Sequence, residues 1–138
     1  MTMEKIFVYG SLLKDFWNHD RVLKNRVRSI EKGTIQGELY HLPAGYPAIT
    51  SGETLIHGEI CTLSHNKHLK SIDLLEGYTG NEKIDLYTRE KRTVTLSDGS
   101  ITECWVYIYM DENYVKRKGK HIAHGDWGKF MRNNPAYK

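Results

Sequence analysis

The feature that most constrains the fold is a pair of alternating segments joined by Ser97-Asp98-Gly99-Ser100. From Leu86 to Leu96, Tyr87, Arg89, Lys91, Thr93 and Thr95 alternate with Thr88, Glu90, Arg92, Val94 and Leu96. A period of two belongs to a strand with two different faces. The return segment, Ile101 to Met110, contains Cys104-Trp105-Val106-Tyr107-Ile108-Tyr109, and the Asp-Gly loop between the two predicts an antiparallel hairpin. Further strand-like runs are Ile6 to Tyr9, Gly33 to His41 and Leu55 to Leu63, and another strand begins at Arg26 to Ile30. Leu42 to Ile49, with two prolines and a glycine, reads as a structured loop or an irregular edge strand, and Ser51-Gly52-Glu53 as a turn. One strong helix is predicted over Ser64 to Glu76, with Ser64 as N-cap and Gly77 as a left-handed C-terminal cap. A shorter, weakly periodic helix is predicted from Asp15 to Leu23. Five or six closely spaced strands with a single long helix define an α+β domain, a small mixed, mainly antiparallel β-barrel with flanking helices.

The 138 residues are expected to form one domain, 1–138, with the tail from about Lys116 peripheral. A hydrophobic content of 39% suits a globular chain, and no apolar run reaches the roughly 20 residues of a membrane helix. No signal-like core precedes the first strand, and the two cysteines, Cys61 and Cys104, read as packed thiols, so a cytoplasmic location is expected. A single disulfide between them remains compatible with the sequence. The net charge of +3 owes part to Lys116-Arg117-Lys118-Gly119-Lys120, which reads as a solvated basic loop. Without an aromatic-basic strand or a helix-turn-helix pattern, no nucleic-acid partner is expected. Nothing in the sequence fixes an oligomeric state.

Two stretches carry candidate chemistry. The first strand runs into Gly10-Ser11, so the amides of Gly10, Ser11 and Leu12 could meet an anionic or carbonyl oxygen. The alternative is a plain strand-to-helix turn with Ser11 as N-cap. The second candidate is Glu76. At about 100° per residue, with Leu69 at zero, Ile72 falls near 300°, Leu75 near 240° and Glu76 near 340°, inside the aliphatic arc. There a carboxylate is disfavoured by burial and by the helix C-terminus, which predicts a raised pKa suited to a general acid or base. The competing reading puts Glu76 at the edge of the stripe, exposed or paired with Arg89 or a lysine. Asp73, near 40°, reads as a solvated neighbour. His65-x-x-His68 and His121-x-x-His124 lack a third ligand at metal-site spacing, and there is no phosphate loop or dinucleotide fingerprint, so neither metal nor cofactor is expected.

In order, Tyr9-Gly10-Ser11-Leu12 and Leu74-Leu75-Glu76-Gly77-Tyr78 resemble the γ-glutamylcyclotransferase-like superfamily, and within it the bacterial and γ-glutamylamine cyclotransferase branch. Tyr46-Pro47-Ala48, Gly58-Glu59, Tyr87-x-Arg89, Trp105-Val106-Tyr107 and Gly125-Asp126-Trp127 are similar to further motifs of that family. Leu13 departs from the arginine, lysine or methionine often found there, which leaves substrate choice open. The resemblance implies a small β-barrel, a substrate loop at Tyr9, Gly10, Ser11 and Leu12, Tyr87 lining the pocket, and Glu76 as proton acceptor. It also implies a small-molecule γ-glutamyl substrate, cyclised to 5-oxoproline with release of an amine. A barrel of the same fold that binds small molecules without catalysis, or regulates, is the other reading.

Overall fold

The computed structural model describes residues 3–14, 16, 19, 23–76, 78–81 and 85–133, the side chain of Leu75 excepted. Among them the strands are β1 (Lys5–Val8), β2 (Val27–His41), β3 (Pro47–Leu63), β4 (Tyr87–Leu96), β5 (Ile101–Tyr109) and β6 (Lys120–His121). The helices are α1 (His68–Glu76), α2 (Glu112–Lys118) and α3 (Trp127–Asn133). The Asp-Gly hairpin forms as its pattern requires. Pairing runs from Tyr87 opposite Tyr109 to Thr95 opposite Ile101, and Gly99 takes the positive φ of 88° that closes the loop.

A second, longer hairpin joins β2 and β3. The strand begun at Arg26 to Ile30 continues without a break through Gly33 to His41. The expected turn at Ser51-Gly52-Glu53 is instead a bulge inside β3, because Gly37 pairs with Thr54 while the next residue, Glu38, pairs with Thr50. The Glu38 carboxylate holds this bulge by accepting from the Thr54 hydroxyl at 2.8 Å. The order β3-β1-β5-β4-β2, with β2 returning to pair with β3, closes a five-stranded barrel. Only the β1–β5 pairing is parallel; the others are antiparallel, and β6 adds to β2 outside the ring. The mixed, mainly antiparallel barrel with flanking helices is therefore the observed fold.

Ile6, Phe7, Ile60, Leu63, Val94, Cys104 and Val106 are among the residues filling the core. Each large aliphatic removed from water stabilises the fold by roughly 1.5–3 kcal/mol. Gly58 is needed where β3 passes β1: a Cβ there would lie 2.3 Å from the Val8 carbonyl oxygen. Cys61 and Cys104 are free and buried, and burial pushes their thiols up to about 12 and about 11.

Three further expectations are corrected. α1 begins at His68 rather than Ser64, because the Ser64 hydroxyl and amide both donate to the Arg26 carbonyl, tying the segment to β2. The tail after Lys116 is not peripheral: Ile122, Trp127, Phe130 and Met131 join the main core. Trp127 is fully buried and donates its indole N–H to His41 Nδ1 at 3.1 Å. Lys116, Arg117 and Lys118 form the last turn of α2, where cations suit the helix C-terminus, rather than a loop. Of the predicted Asp15 to Leu23 helix, only Phe16, His19 and Leu23 are described, and Gly77 also lies outside the described residues. No helix among the described residues is long and apolar enough to cross a membrane.

Candidate active site

β1 ends against the Tyr46-Pro47 corner. A Cβ on Gly10 would lie 2.6 Å from Pro47 Cγ, so only glycine lets the loop nest under that ring. The loop then turns tightly, with the Leu13 amide donating to the Gly10 carbonyl at 2.9 Å. Its flanks are pinned: His19 Nδ1 lies 3.0 Å from the Leu12 carbonyl oxygen, and the Lys14 amide donates to Glu59 Oε1 at 2.8 Å. Gly10 and Leu12 are buried, yet their amides make no hydrogen bond within the described residues. Buried amides are almost always paired. Among the described residues these two donors have no acceptor.

Three tyrosines frame the same end of the barrel, each with a committed hydroxyl. Tyr9 donates to the Tyr107 carbonyl, Tyr87 to the Pro47 carbonyl at 3.0 Å, and Tyr107 to Asp73 Oδ1 at 2.6 Å. Tyr9 and Tyr87 therefore brace the loop through their hydroxyls, and only their rings remain for another molecule.

On α1, Ile72 is fully buried, Leu69 packs against the core, and Leu74 on the opposite side is 81% exposed. Glu76 is half-buried, as its place on the helical wheel predicts. Burial alone drives its carboxyl up to about 7. The Glu76 charge also reaches inward, holding up the phenols of Tyr9, Tyr87 and Tyr107, although for each of these burial is the larger cause. Glu76 and the ring of Tyr9, next to the Gly10 loop, thus share one electrostatic environment. Arg89 is not the partner of Glu76.

Arg89 is paired instead with Asp73, one turn before Glu76 on α1, which reads as a solvated residue on the helical wheel. Asp73 accepts from Arg89 Nη1 at 3.0 and 3.1 Å and from the Tyr107 hydroxyl. Its side chain is only 16% exposed. Arg89 lies over Trp105 and Tyr78, at 4.5 and 5.1 Å from their ring centroids, and its Nε is buried without a partner. The cluster fastens α1 to β4 and β5. The sequence signal that could have found it was Arg89 itself, a cation on an alternating strand whose neighbours are aromatic. The histidine pairs have structural work: His65 accepts from the Lys67 amide, His121 bonds Glu38, and His124 accepts from the Asp126 amide.

The sequence and the barrel both match a known group of proteins. The family described as gamma-glutamyl cyclotransferase, AIG2-like, matches residues 6–129, and the chain belongs to that family. A Methanocaldococcus jannaschii protein provisionally named a gamma-glutamylcyclotransferase is 38% identical over 109 residues, covering 78% of this chain and 85% of its own. Gamma-L-glutamyl-butirosin B gamma-glutamyl cyclotransferase of Niallia circulans is 32% identical over 117 residues, covering 84% of this chain and 73% of its own. Among solved structures, a mouse AIG2-like protein superposes with a TM-score of 0.71 at 20% identity, covering 92% of this chain and 89% of that one. YkqA from Bacillus subtilis gives the same TM-score at 21% identity, covering 98% of this chain but 43% of the longer protein.

Proposed function

We propose that the protein is a γ-glutamyl cyclotransferase that converts a γ-glutamyl amine or peptide to 5-oxoproline and a free amine, with Glu76 as general acid and base. A γ-glutamyl group carries its own nucleophile. The α-amine nitrogen attacks the γ-carbonyl carbon, a five-membered ring forms, and the bond from that carbon to the departing nitrogen breaks. Holding the folded-back conformer can be worth an effective molarity of roughly 10⁵ M or more. The α-ammonium nitrogen loses two protons on becoming the lactam N–H, one before it attacks and one from the tetrahedral intermediate. Glu76 takes each in turn and passes it to the departing nitrogen, which leaves as an ammonium, so the step balances without water or cofactor. A carboxyl near 7 is matched to both transfers at neutral pH.

The open amides of Gly10 and Leu12 supply the second requirement, donors for the oxyanion or for the α-carboxylate, and Ser11 lies between them in the same turn. Tyr9 and Tyr87 contribute ring surface. The single observation carrying this reading is the half-buried Glu76, raised by burial and sharing its surroundings with the tyrosines that brace the loop. The two buried free thiols support a reducing, cytoplasmic compartment. The test is incubation with a panel of γ-glutamyl amines and dipeptides while 5-oxoproline and free amine are measured. Stoichiometric release of both is expected; binding of the panel without turnover would instead favour a non-catalytic binding barrel.

A further inference from the structure

The tyrosines of this end of the barrel form two sets. Tyr9, Tyr87 and Tyr107 are buried, and each hydroxyl is held by a protein acceptor. Tyr46, Tyr109 and Tyr114 are half-buried, and their hydroxyls have no protein partner within the described residues. Those oxygens are also absent from the buried, unsatisfied set, so they reach solvent. The second set continues from the first. Tyr46 and Tyr109 flank Tyr87 with ring centroids at 6.1 and 5.2 Å, and Tyr114 stacks on Tyr109 at 5.9 Å and 25°. An aromatic ledge therefore runs from the ring that senses Glu76 outward to α2.

Core packing alone would bury such rings and pair their hydroxyls. Here the rings rest against Leu42, Ala48 and Val115 yet stay only half-buried, and their oxygens remain open. The Asp111 carboxylate stands beside them: Oδ1 accepts from the Tyr114 amide as the cap of α2. Burial, then Tyr46, Tyr114 and Asp111 together hold up the Tyr109 phenol, which places these four groups in one another's field. Of the nearby cations, Lys116 is paired with Glu112 at 3.4 Å, while Arg117 and Lys118 are exposed in the last turn of α2.

We propose that Tyr46, Tyr109 and Tyr114, with the Asp111 carboxylate beside them, form the subsite for the departing amine, and that it selects amines carrying a second, cationic nitrogen. The proposal rests on the cyclotransferase reading. Aromatic faces attract an ammonium through the ring quadrupole, free phenol oxygens accept its N–H bonds, and one unpaired carboxylate oxygen completes the complement. The α-amino, α-carboxylate and γ-carbonyl groups would sit at the Gly10 loop and Glu76, leaving the ledge for the rest of the molecule.

Three substrates of equal length separate the possibilities: γ-glutamyl-putrescine with a distal ammonium, γ-glutamyl-pentylamine with a methyl in its place, and γ-glutamyl-5-aminopentanoate with a distal carboxylate. The kcat/KM for 5-oxoproline release is expected to fall in that order, the first exceeding the second by roughly three- to tenfold. Tyr114→Leu should bring the first two values to within about twofold of each other, and Tyr114→Phe, which keeps the π face, should restore most of the preference. Equal kcat/KM for all three would overturn the subsite while upholding the cyclotransferase. A preference for the carboxylate would overturn it in favour of Arg117 and Lys118. Turnover of none would remove the reading beneath it, and the subsite with it.

Discussion

Two successive turns of α1 carry carboxylates with opposite surroundings. Asp73 is met by a guanidinium and a phenol, and its oxygens are engaged on two strands. Glu76, three residues on, is raised to about 7 by burial and gains no compensating charge. The helix is the same, and the acids differ by one methylene. What separates them is what each one meets: β4 and β5 present Arg89 and Tyr107 to the first, while the second is buried without a counter-charge and its own charge is felt by Tyr9, Tyr87 and Tyr107. One acid is built for holding the helix in place. The other is left able to change its protonation state near neutral pH.

The sharpest way to break this contrast is Glu76→Gln, which keeps shape but cannot carry a proton. General acid–base catalysis contributes about 10²–10⁴-fold, so 5-oxoproline release should fall by that order while the fold is retained. A variant that turns over at the wild-type rate would assign the proton transfers elsewhere.

The second prediction concerns pH. The Glu76 carboxyl is lifted from an ordinary 4.5 to about 7, so the folded chain holds that proton more tightly than the unfolded chain between those values. Its contribution to stability is complete below about pH 4.5 and declines as pH rises through about 7. That lift corresponds to at most about 3–4 kcal/mol, and less for a half-buried group. Denaturant titrations at pH 5 and pH 8 should show this loss in the wild type and not in Glu76→Gln, which should be the more stable protein at pH 8. The rate should rise with an apparent midpoint near 7 as the base form appears. A midpoint near 4.5 with flat stability would mean that Glu76 is well hydrated.

How much of this contrast the sequence carries depends on how far its causes lie along the chain. The β4–β5 hairpin is legible because period-two alternation and an Asp-Gly turn are local. Glu76 is legible because a wheel records which side of a helix is greasy. Asp73 was not legible: its angle is that of a solvated residue, and only barrel closure brings Arg89 and Tyr107, 16 and 34 residues away, against it. The bulge at Ser51-Gly52-Glu53 reads as a turn because the Glu38 carboxylate that sustains it comes from the partner strand. The buried role of Trp127 rests on His41, 86 residues earlier. Local rules find elements, and long-range pairs decide which polar groups inside them are ordinary.

Asp73→Asn attacks the other acid. It leaves Arg89 short of its counter-charge at a site where both side chains are about one-sixth exposed, and should lower stability by about 2 kcal/mol. If Asp73 acts by holding α1, kcat should drop about tenfold with little change in KM, because a misplaced base is slow even when substrate binds. The pH midpoint should stay near 7, since burial rather than Asp73 sets the Glu76 value. A displaced midpoint would show that the two acids titrate as a pair, and the contrast between them would then be one of degree.

Tyr107→Phe is the mildest test and separates the two arms of the clamp. The ring and its packing remain, and the Tyr107 carbonyl still accepts from Tyr9. Only the 2.6 Å bond to Asp73 is lost. A hydrogen bond to a charged acceptor contributes about 1.5–3 kcal/mol when buried, and partial exposure should bring the loss nearer 1. With Arg89 still in place, kcat should fall no more than about threefold. In the double variant with Asp73→Asn the phenol has already lost its charged acceptor, so the two losses should add to less than their sum. Full additivity would mean that the Tyr107 hydroxyl acts independently of the Asp73 charge, and the clamp would reduce to the Asp73–Arg89 ion pair.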